Sequence, residues 1–193
     1  MHPLPTRVDP RSDAFRANHE LNEAAVATLH KHLARAHAGG GEKYVQRHLK
    51  RGKLLPRQRV DLLLDPGSPF LELCPLAGLH EGGITPGGSV IGGIGWVAGA
   101  PALITASEST VQGGAVNKHG LAKSARLSQV ADENALTTLH CIESAGADLP
   151  NQADIFVPGG AGFRDITRRS AAGVPTISLV FGSCTAGGAY VPA

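Results

Sequence analysis

TISLVFGSCTAGGAYVPA, residues 176–193, runs an apolar stretch into a turn and a glycine pair, and the reading of that change fixes how the rest of the chain is understood. Thr176 to Gly182 is a short apolar run that reads as a strand. The residues after it read as a turn, and a helix nucleus begins at Gly188. A strand that empties through a glycine-bearing loop into a helix is one unit of a crossover α/β layout. Ligands in such folds gather beyond the carboxyl ends of the strands.

Two upstream segments repeat the unit. ALITA at 102–106 leads through Val111-Gln112-Gly113-Gly114 to a helix starting near Asn117, with Leu121, Ala125 and Ser128 as its packing stripe. TTLHCIES at 137–144 leads through Ala145-Gly146-Ala147-Asp148 to a helix over 160–172, closed by Gly173 and Pro175. Earlier still, FLELC at 70–74 and SVIGGIGWV at 89–97 read as strands, the latter forming a hairpin with ALITA across a break at Gly99-Ala100-Pro101. Gly93-Ile94-Gly95-Trp96-Val97-Ala98 matches a dinucleotide fingerprint in letters alone. That motif needs a helix to start at its glycines, and here a β-run and a proline follow.

The N-terminal third is helical. Ser12 can cap a helix over 12–38 in which Phe15, Val26, Leu29, Leu33 and Ala36 recur at helical spacing, before Gly39, Gly40 and Gly41 stop it. A basic helix over 42–51 follows, then a third from Pro56 to Asp65-Pro66-Gly67 with Val60, Leu63 and Leu64 inward. His30, His32 and His37 lack a tight ligand motif and read as a solvated face. The expected organisation is an N-terminal helical arm at 1–41 and a partial α/β domain at 42–193.

With 193 residues and 42% hydrophobic content the chain can bury a core, and a net charge of +2 gives no footprint for nucleic acid. Cys74, Cys141 and Cys184 are odd in number and widely spaced, which fits a reducing compartment. No apolar run reaches the length of a membrane span. A cytoplasmic protein is the expectation. Gly, at 25 residues, clusters between apolar segments, so main-chain geometry in the loops is under special demand.

Glycines at strand ends let a ligand approach the backbone and meet inward-turned amides. Gly187 and Gly188 also lie at a helix start, where unpaired N–H groups favour negative charge, so they are the candidate oxyanion hole for an enolate or a tetrahedral oxyanion. Proton-transfer groups near the loops are few: Glu108, Glu143 and Asp148, with no histidine. Cys184 on the last turn offers a competing thiol-nucleophile reading, although GSCTAG does not match a nucleophile elbow.

The motifs GGGEKYVQRHLKRGKLLPRQRVDLLLDPGSPFLEL, GGIGWVAG, STVQGG, CIESAGADLP, VPGGAGFRDITRRSAAGVPTI and GSCTAGGAYVPA occur in an order that resembles the carboxyltransferase (β) subunit of biotin-dependent acyl-CoA carboxylases. Within that family the likeness is to the propionyl-, methylcrotonyl- and geranyl-CoA branch, over about residues 39 to 193. It implies an α/β fold of the ClpP/crotonase-like type, here an incomplete first domain behind the helical arm. It also implies transfer of a carboxyl group from carboxybiotin to the α-carbon of an acyl-CoA, or to the γ-carbon of an enoyl-CoA, with the ureido group of biotin as base. By motif, Gly187 and Gly188 would stabilise the enolate. Ala145, Gly146 and Ala147 would line the thioester and pantetheine, and Arg47, Lys50, Arg51 and Lys53 would meet CoA phosphates, the alternative for these four being a solvated basic helix. Implied partners are a biotin carboxylase/biotin carrier (α) subunit and further β subunits in a homo-oligomer, with no metal, membrane or nucleic acid.

Three departures from the family pattern stand out. Ala145 stands where a glycine is usual, Gln112 where a lysine is common, and only one of two expected crotonase-like domains is represented. Two other readings therefore accompany the carboxyltransferase reading: a non-catalytic remnant that binds CoA or assembles with intact subunits, and a thiol or crotonase-like hydrolase using Cys184.

Overall fold

The computed structural model describes residues 5–82 and 85–193; the first four residues of the expected arm fall outside them. The elements, in chain order, are α1 (Asp13–His37), α2 (Glu42–Leu49), α3 (Pro56–Leu63), β1 (Leu71–Glu72), β2 (Val90–Val97), β3 (Ala100–Ser107), α4 (Lys118–Glu133), β4 (Thr137–Ser144), α5 (Phe156–Ala171) and β5 (Thr176–Cys184), with short 3-10 turns at Gln112–Gly114, Leu149–Asp154 and Ala186–Ala189. The five strands form one sheet in the order β1-β2-β3-β4-β5. β1, β2 and β3 are antiparallel, and β3, β4 and β5 are parallel. The parallel half is the crossover α/β part.

β3 divides the core. Ala102, Ile104 and Ala106 join Val60, Ile91, Leu139 and Cys141 on the face covered by α3, whereas Leu103 points to the other face and packs on Leu127, Ala131 and Leu136 beneath α4. This is the period-two alternation of a strand buried on both sides. The glycines of β2 belong to this packing and not to a nucleotide loop. A Cβ on Gly92 would lie 2.2 Å from Leu127 Cδ1, and one on Gly95 would lie 2.2 Å from Leu64 Cδ2.

The helix starts obey local chemistry. Ser12 Oγ accepts from the Phe15 N–H at 3.2 Å, Asn117 Oδ1 accepts from the Gly120 N–H at 2.8 Å, and Pro56 occupies the first position of α3, where its missing N–H costs nothing.

Several boundaries differ from the sequence expectation. The hairpin turn is Ala98-Gly99, both at left-handed φ (52° and 77°), with Asp65 accepting their N–H groups at 2.7 and 2.8 Å, so Ala100 and Pro101 already belong to β3. The buried residues of α4 are Gly120, Lys123, Leu127 and Ala131, displacing the expected stripe; Ala125 is exposed. α5 starts at Phe156 rather than 160, because Pro158 falls in its first turn, where proline is tolerated. β1 is only two residues long, and β5 continues to Cys184.

Candidate active site

The carboxyl ends of β3, β4 and β5 bring three loops to one edge, and main-chain bonds hold them together. Ala145 N–H donates to the Gly113 carbonyl at 3.0 Å, Val116 N–H to Gly146 O at 2.8 Å, and Asp148 N–H to Val116 O at 3.0 Å. The Ser144 hydroxyl fastens the same crossing. It donates to Gly114 O at 2.8 Å and accepts from Gly146 N–H at 3.1 Å. Thr185 N–H reaches Ser144 O at 3.2 Å, which ties the third loop to the second.

Gly187 and Gly188 sit in the 3-10 turn Ala186–Ala189 that follows β5. The Gly188 amide donates to the Thr185 carbonyl at 3.0 Å, closing that turn. Neither glycine has a left-handed φ; a Cβ on Gly188 would meet Ser144 at an ordinary 3.6 Å, whereas one on Gly187 would press on the outer edge of Phe163 at 3.2 Å. Gly188, Ser144 and Val191 are among the residues lining a cavity of about 230 Å³ between the sheet and α4 and α5. Leu103, Leu127 and Ile166 give it an apolar wall, and His140 enters it from β4. Burial, followed by the charge of Arg169, pushes the His140 pKa down to about 4, and its Nδ1 is 2.7 Å from Thr105 Oγ1. The imidazole is therefore neutral at physiological pH.

A second depression of about 440 Å³ adjoins these loops. Arg47, Arg51, His48 and Tyr44 of the α2 region line it, facing Ser109, Thr110, Gln112 and Gly113. Gly113 belongs to both places, since it also receives the Ala145 amide. Of the four expected cationic contacts, Arg47 and Arg51 share this cleft, whereas Lys50 is exposed at the end of α2 and outside its lining. Lys53 is turned inward and ion-paired with Glu143.

Glu143 is the centre of a buried charge cluster. Its carboxylate accepts from Lys53 Nζ and from Arg59 Nη2, with Ser109 Oγ at 3.4 Å and His48 Nε2 at 3.9 Å. The Arg59 guanidinium lies 4.5 Å from the centre of the Phe181 ring, and Arg59 Nε donates to Leu54 O at 3.0 Å. Burial works to raise the Glu143 pKa, yet the bonds and charges of Lys53 and Arg59 outweigh it and hold the carboxyl below its ordinary value. Such a group stays ionised. The other acids are also engaged: Glu108 accepts from the backbone and hydroxyl of Thr110, and Asp148 accepts from Asn151 Nδ2 at 2.8 Å. The Cys184 thiol is half-buried and 3.9 Å from the Gly182 carbonyl; among the described residues no imidazole is paired with it.

Sequence reasoning missed Ser144, His140 and the Arg59–Glu143 pair. A serine and a histidine inside a strand carry no local signal, and the pair spans 84 positions of sequence. Among the described residues no group of three His, Cys, Asp or Glu side chains is arranged to hold a metal ion, and His37 instead lies 3.4 Å from Glu72. No helix of the described residues is long and apolar enough to cross a membrane.

Glycine loops gathered at the parallel edge, beside an apolar cavity and an adjoining cationic cleft, define an α/β domain with a ligand-sized site, and its structural neighbours are carboxyltransferase domains of the crotonase-like fold. Residues 47–193 match the carboxyl transferase domain. The chain is 50% identical over 189 residues to a probable biotin-dependent acyl-coenzyme A carboxylase beta2 subunit of Mycobacterium tuberculosis, covering 98% of this chain and 36% of that protein. It is 42% identical over 195 residues to a probable mitochondrial methylcrotonoyl-CoA carboxylase beta chain of Drosophila melanogaster, covering 98% and 34%. The solved β subunit of Pseudomonas aeruginosa geranyl-CoA carboxylase superposes with a TM-score of 0.90 at 43% identity, over 97% of this chain and 36% of that one. The transcarboxylase 12S structure gives 0.79 at 28% identity, over 89% and 34%. The chain thus belongs to the carboxyl transferase domain family, and it spans about a third of the length of these relatives.

Proposed function

We propose that this chain is the acyl-CoA-holding part of a carboxyltransferase β subunit, in which Gly187 and Gly188 receive the thioester oxygen as negative charge develops on it. The observation that carries the reading is that Gly188 is glycine without a packing or backbone reason, whereas Gly187 is held small by the ring edge of Phe163. A methyl on Gly188 meets only Ser144, at ordinary contact distance, so the space it would fill is kept for something outside the fold. Binding exchanges the Gly188–Thr185 turn bond for a bond to the ligand oxygen. A free preorganised donor is worth about 3 to 4 kcal/mol to a developing oxyanion, and the Gly188 amide contributes less than that because it gives up its bond to Thr185.

The remaining roles follow the path between the two depressions. Phosphates of CoA pair with Arg47 and Arg51, the pantetheine runs past Gly113 along Ala145, Gly146 and Ala147, and the acyl group enters the apolar cavity beneath Gly188. Lys50 is left to an outer electrostatic role, and Lys53 to structure. Carboxybiotin, presented by a biotin carboxylase/biotin carrier (α) subunit, supplies the carboxyl group and a ureido nitrogen that takes the substrate proton. The side chains here need supply no base, in keeping with a Glu143 locked by two cations. We also divide the chain into an arm at 1–41 and a catalytic part from 42, and assign it to the cytoplasm and to a homo-oligomer of β subunits.

Calorimetric titration with an acyl-CoA and with free CoA tests this. Gly188→Ala is expected to weaken the acyl-CoA by roughly 2- to 10-fold while leaving free CoA unchanged. Arg47→Ser with Arg51→Ser is expected to weaken both. Equal effects of Gly188→Ala on the two ligands, or none, would overturn the assignment of the glycine pair.

A further inference from the structure

Every second residue of β4 from Thr138 on, namely Thr138, His140, Ile142 and Ser144, lines the cavity that α4 and α5 cover. Ser144 stands at the Gly188 end of it. Four residues of strand, at about 3.3 Å each, set His140 about 13 Å further along the same cavity. His140 is in register with Thr105 of β3, and its Nδ1 lies 2.7 Å from the Thr105 hydroxyl. Its Nε2 forms no hydrogen bond among the described residues. A neutral imidazole on an inner strand, beneath two helices, thus keeps one ring nitrogen for something outside the fold.

Other polar groups at that end are already engaged. The Thr138 hydroxyl donates to the Thr176 hydroxyl at 3.2 Å, Arg169 donates to Leu136 O at 3.0 Å and pairs with Asp132, and Asp165 pairs with Arg164 at 2.8 Å. The same charges limit what can enter. A carboxylate would face Asp132 and Asp165, an ammonium would face Arg169, and either would give up its water without gaining an unpaired counter-charge. A hydroxyl meets neither obstacle. Because it donates as well as accepts, it suits either tautomer of His140, and Ser128, one turn before Asp132 on α4, adds a hydroxyl to the same wall.

We propose that the acyl-CoA of this site carries a hydroxyl toward the far end of a medium-length acyl chain, and that His140 selects it by a hydrogen bond at Nε2. The proposal rests on the assignment of the cavity to the acyl group and narrows that group to a hydroxyacyl chain. The distance from Ser144 separates this recognition from the thioester: a hydroxyl beside the carbonyl does not reach His140. Water can bond the same nitrogen. A chain-end hydroxyl that displaces it restores the bond, whereas a methyl group leaves the imidazole unpaired.

Calorimetric titration of the full chain with octanoyl-CoA, 8-hydroxyoctanoyl-CoA, 3-hydroxyoctanoyl-CoA and free CoA tests this. The 8-hydroxy compound is expected to bind more tightly than octanoyl-CoA, and the 3-hydroxy compound to bind like octanoyl-CoA. His140→Leu is expected to shift the ratio of the dissociation constants of 8-hydroxyoctanoyl-CoA and octanoyl-CoA by about tenfold in favour of octanoyl-CoA, with free CoA unchanged, whereas His140→Gln keeps most of the parent ratio. Nitrogen NMR of the His140 ring, assigned by difference against His140→Gln, is expected to report a new hydrogen bond with the 8-hydroxy compound only. Octanoyl-CoA bound by the parent as tightly as the 8-hydroxy compound, an equal gain from the 3-hydroxyl, or a ratio unmoved by His140→Leu would overturn this inference alone. Failure of free CoA and all three thioesters to bind would overturn the acyl-CoA reading itself, and this inference with it.

Discussion

Replacing Glu143 by Gln tests the cluster that fixes the α2–α3 segment to the sheet. The side chain of Arg59 is 1% exposed, so once the carboxylate is neutralised its charge has little access to water. Arg59 Nη1 already lacks a hydrogen-bond partner, and the rest of the guanidinium keeps Leu54 O and the face of Phe181. Removing one member of a buried pair typically costs about 3–5 kcal/mol, chiefly because the other charge stays buried. For a domain whose stability is about 5–15 kcal/mol, that is a fall of roughly 6–20 °C in the midpoint of thermal unfolding. The assay is urea denaturation followed by circular dichroism, on Glu143→Gln, Arg59→Met and the double variant. The double is expected to be less destabilised than the sum of the two singles by about 2 kcal/mol or more, since it leaves no orphaned charge. The pH dependence has a definite sign. Glu143 has a lowered pKa in the folded state, so its stabilisation is present above the ordinary value of 4.5 and is lost as pH falls through the lowered one. Glu143→Gln should lack that acid-side loss. A Gln variant within 1 kcal/mol of the parent, with additive double-variant energies, would refute the buried-cluster reasoning.

Lys123 should give the opposite end of the pH profile its shape. Burial, opposed by Glu72, pushes its pKa from 10.5 down to about 8, while its Nζ donates to Val90 O at 2.6 Å and Gly87 O at 3.3 Å. Between pH 8 and 10.5 the unfolded chain binds more protons, so stability rises with pH by on the order of 3 kcal/mol across that window and is lost again as pH falls through 8; Lys123→Met, measured by urea denaturation at several pH values, should flatten the rise. Two glycine substitutions should move in opposite directions. Gly40→Ala sets a Cβ 1.9 Å from the Thr110 carbonyl oxygen, which is main chain and cannot yield, and should cost about 3 kcal/mol or more. Gly160→Ala, inside α5 with no atom beyond its own helix backbone within 4 Å, should add about 0.5–1 kcal/mol in the same urea denaturation.

What was legible in the sequence was whatever depends on near neighbours. Thr137–Ser144 and the start of β5 at Thr176 follow from apolar, β-branched runs, and the caps at Ser12 and Asn117 from the residue types that accept backbone N–H groups. What failed depended on distant partners. The α4 stripe was misread because a lysine occupies the inner face, made possible by carbonyls of Gly87 and Val90 more than thirty positions away. The pairing of Lys53, expected at CoA phosphates, with Glu143 was not legible because its acid lies 90 positions downstream. The hairpin turn was displaced because the carboxylate that holds Ala98 and Gly99 comes from Asp65.

These long-range links tie stability to the site. Arg59 and Lys53 follow α2 in the chain and bind Glu143, which immediately precedes Ser144 and the Ala145–Ala147 loop on β4. The same contacts therefore hold Arg47 and Arg51 beside Gly113 and keep Ser144 under Gly188. It follows that lost ligand binding in a Glu143 variant is no evidence for a proton-transfer role, since displacement of the cationic cleft would produce it as well. The two causes separate by comparison with Arg59→Met. If Glu143 acts only by position, both single variants weaken free CoA in proportion to their loss of stability, and the double variant regains part of each. A chemical role for the carboxylate would instead leave CoA binding intact, and the double variant would regain no turnover in the assembled carboxylase.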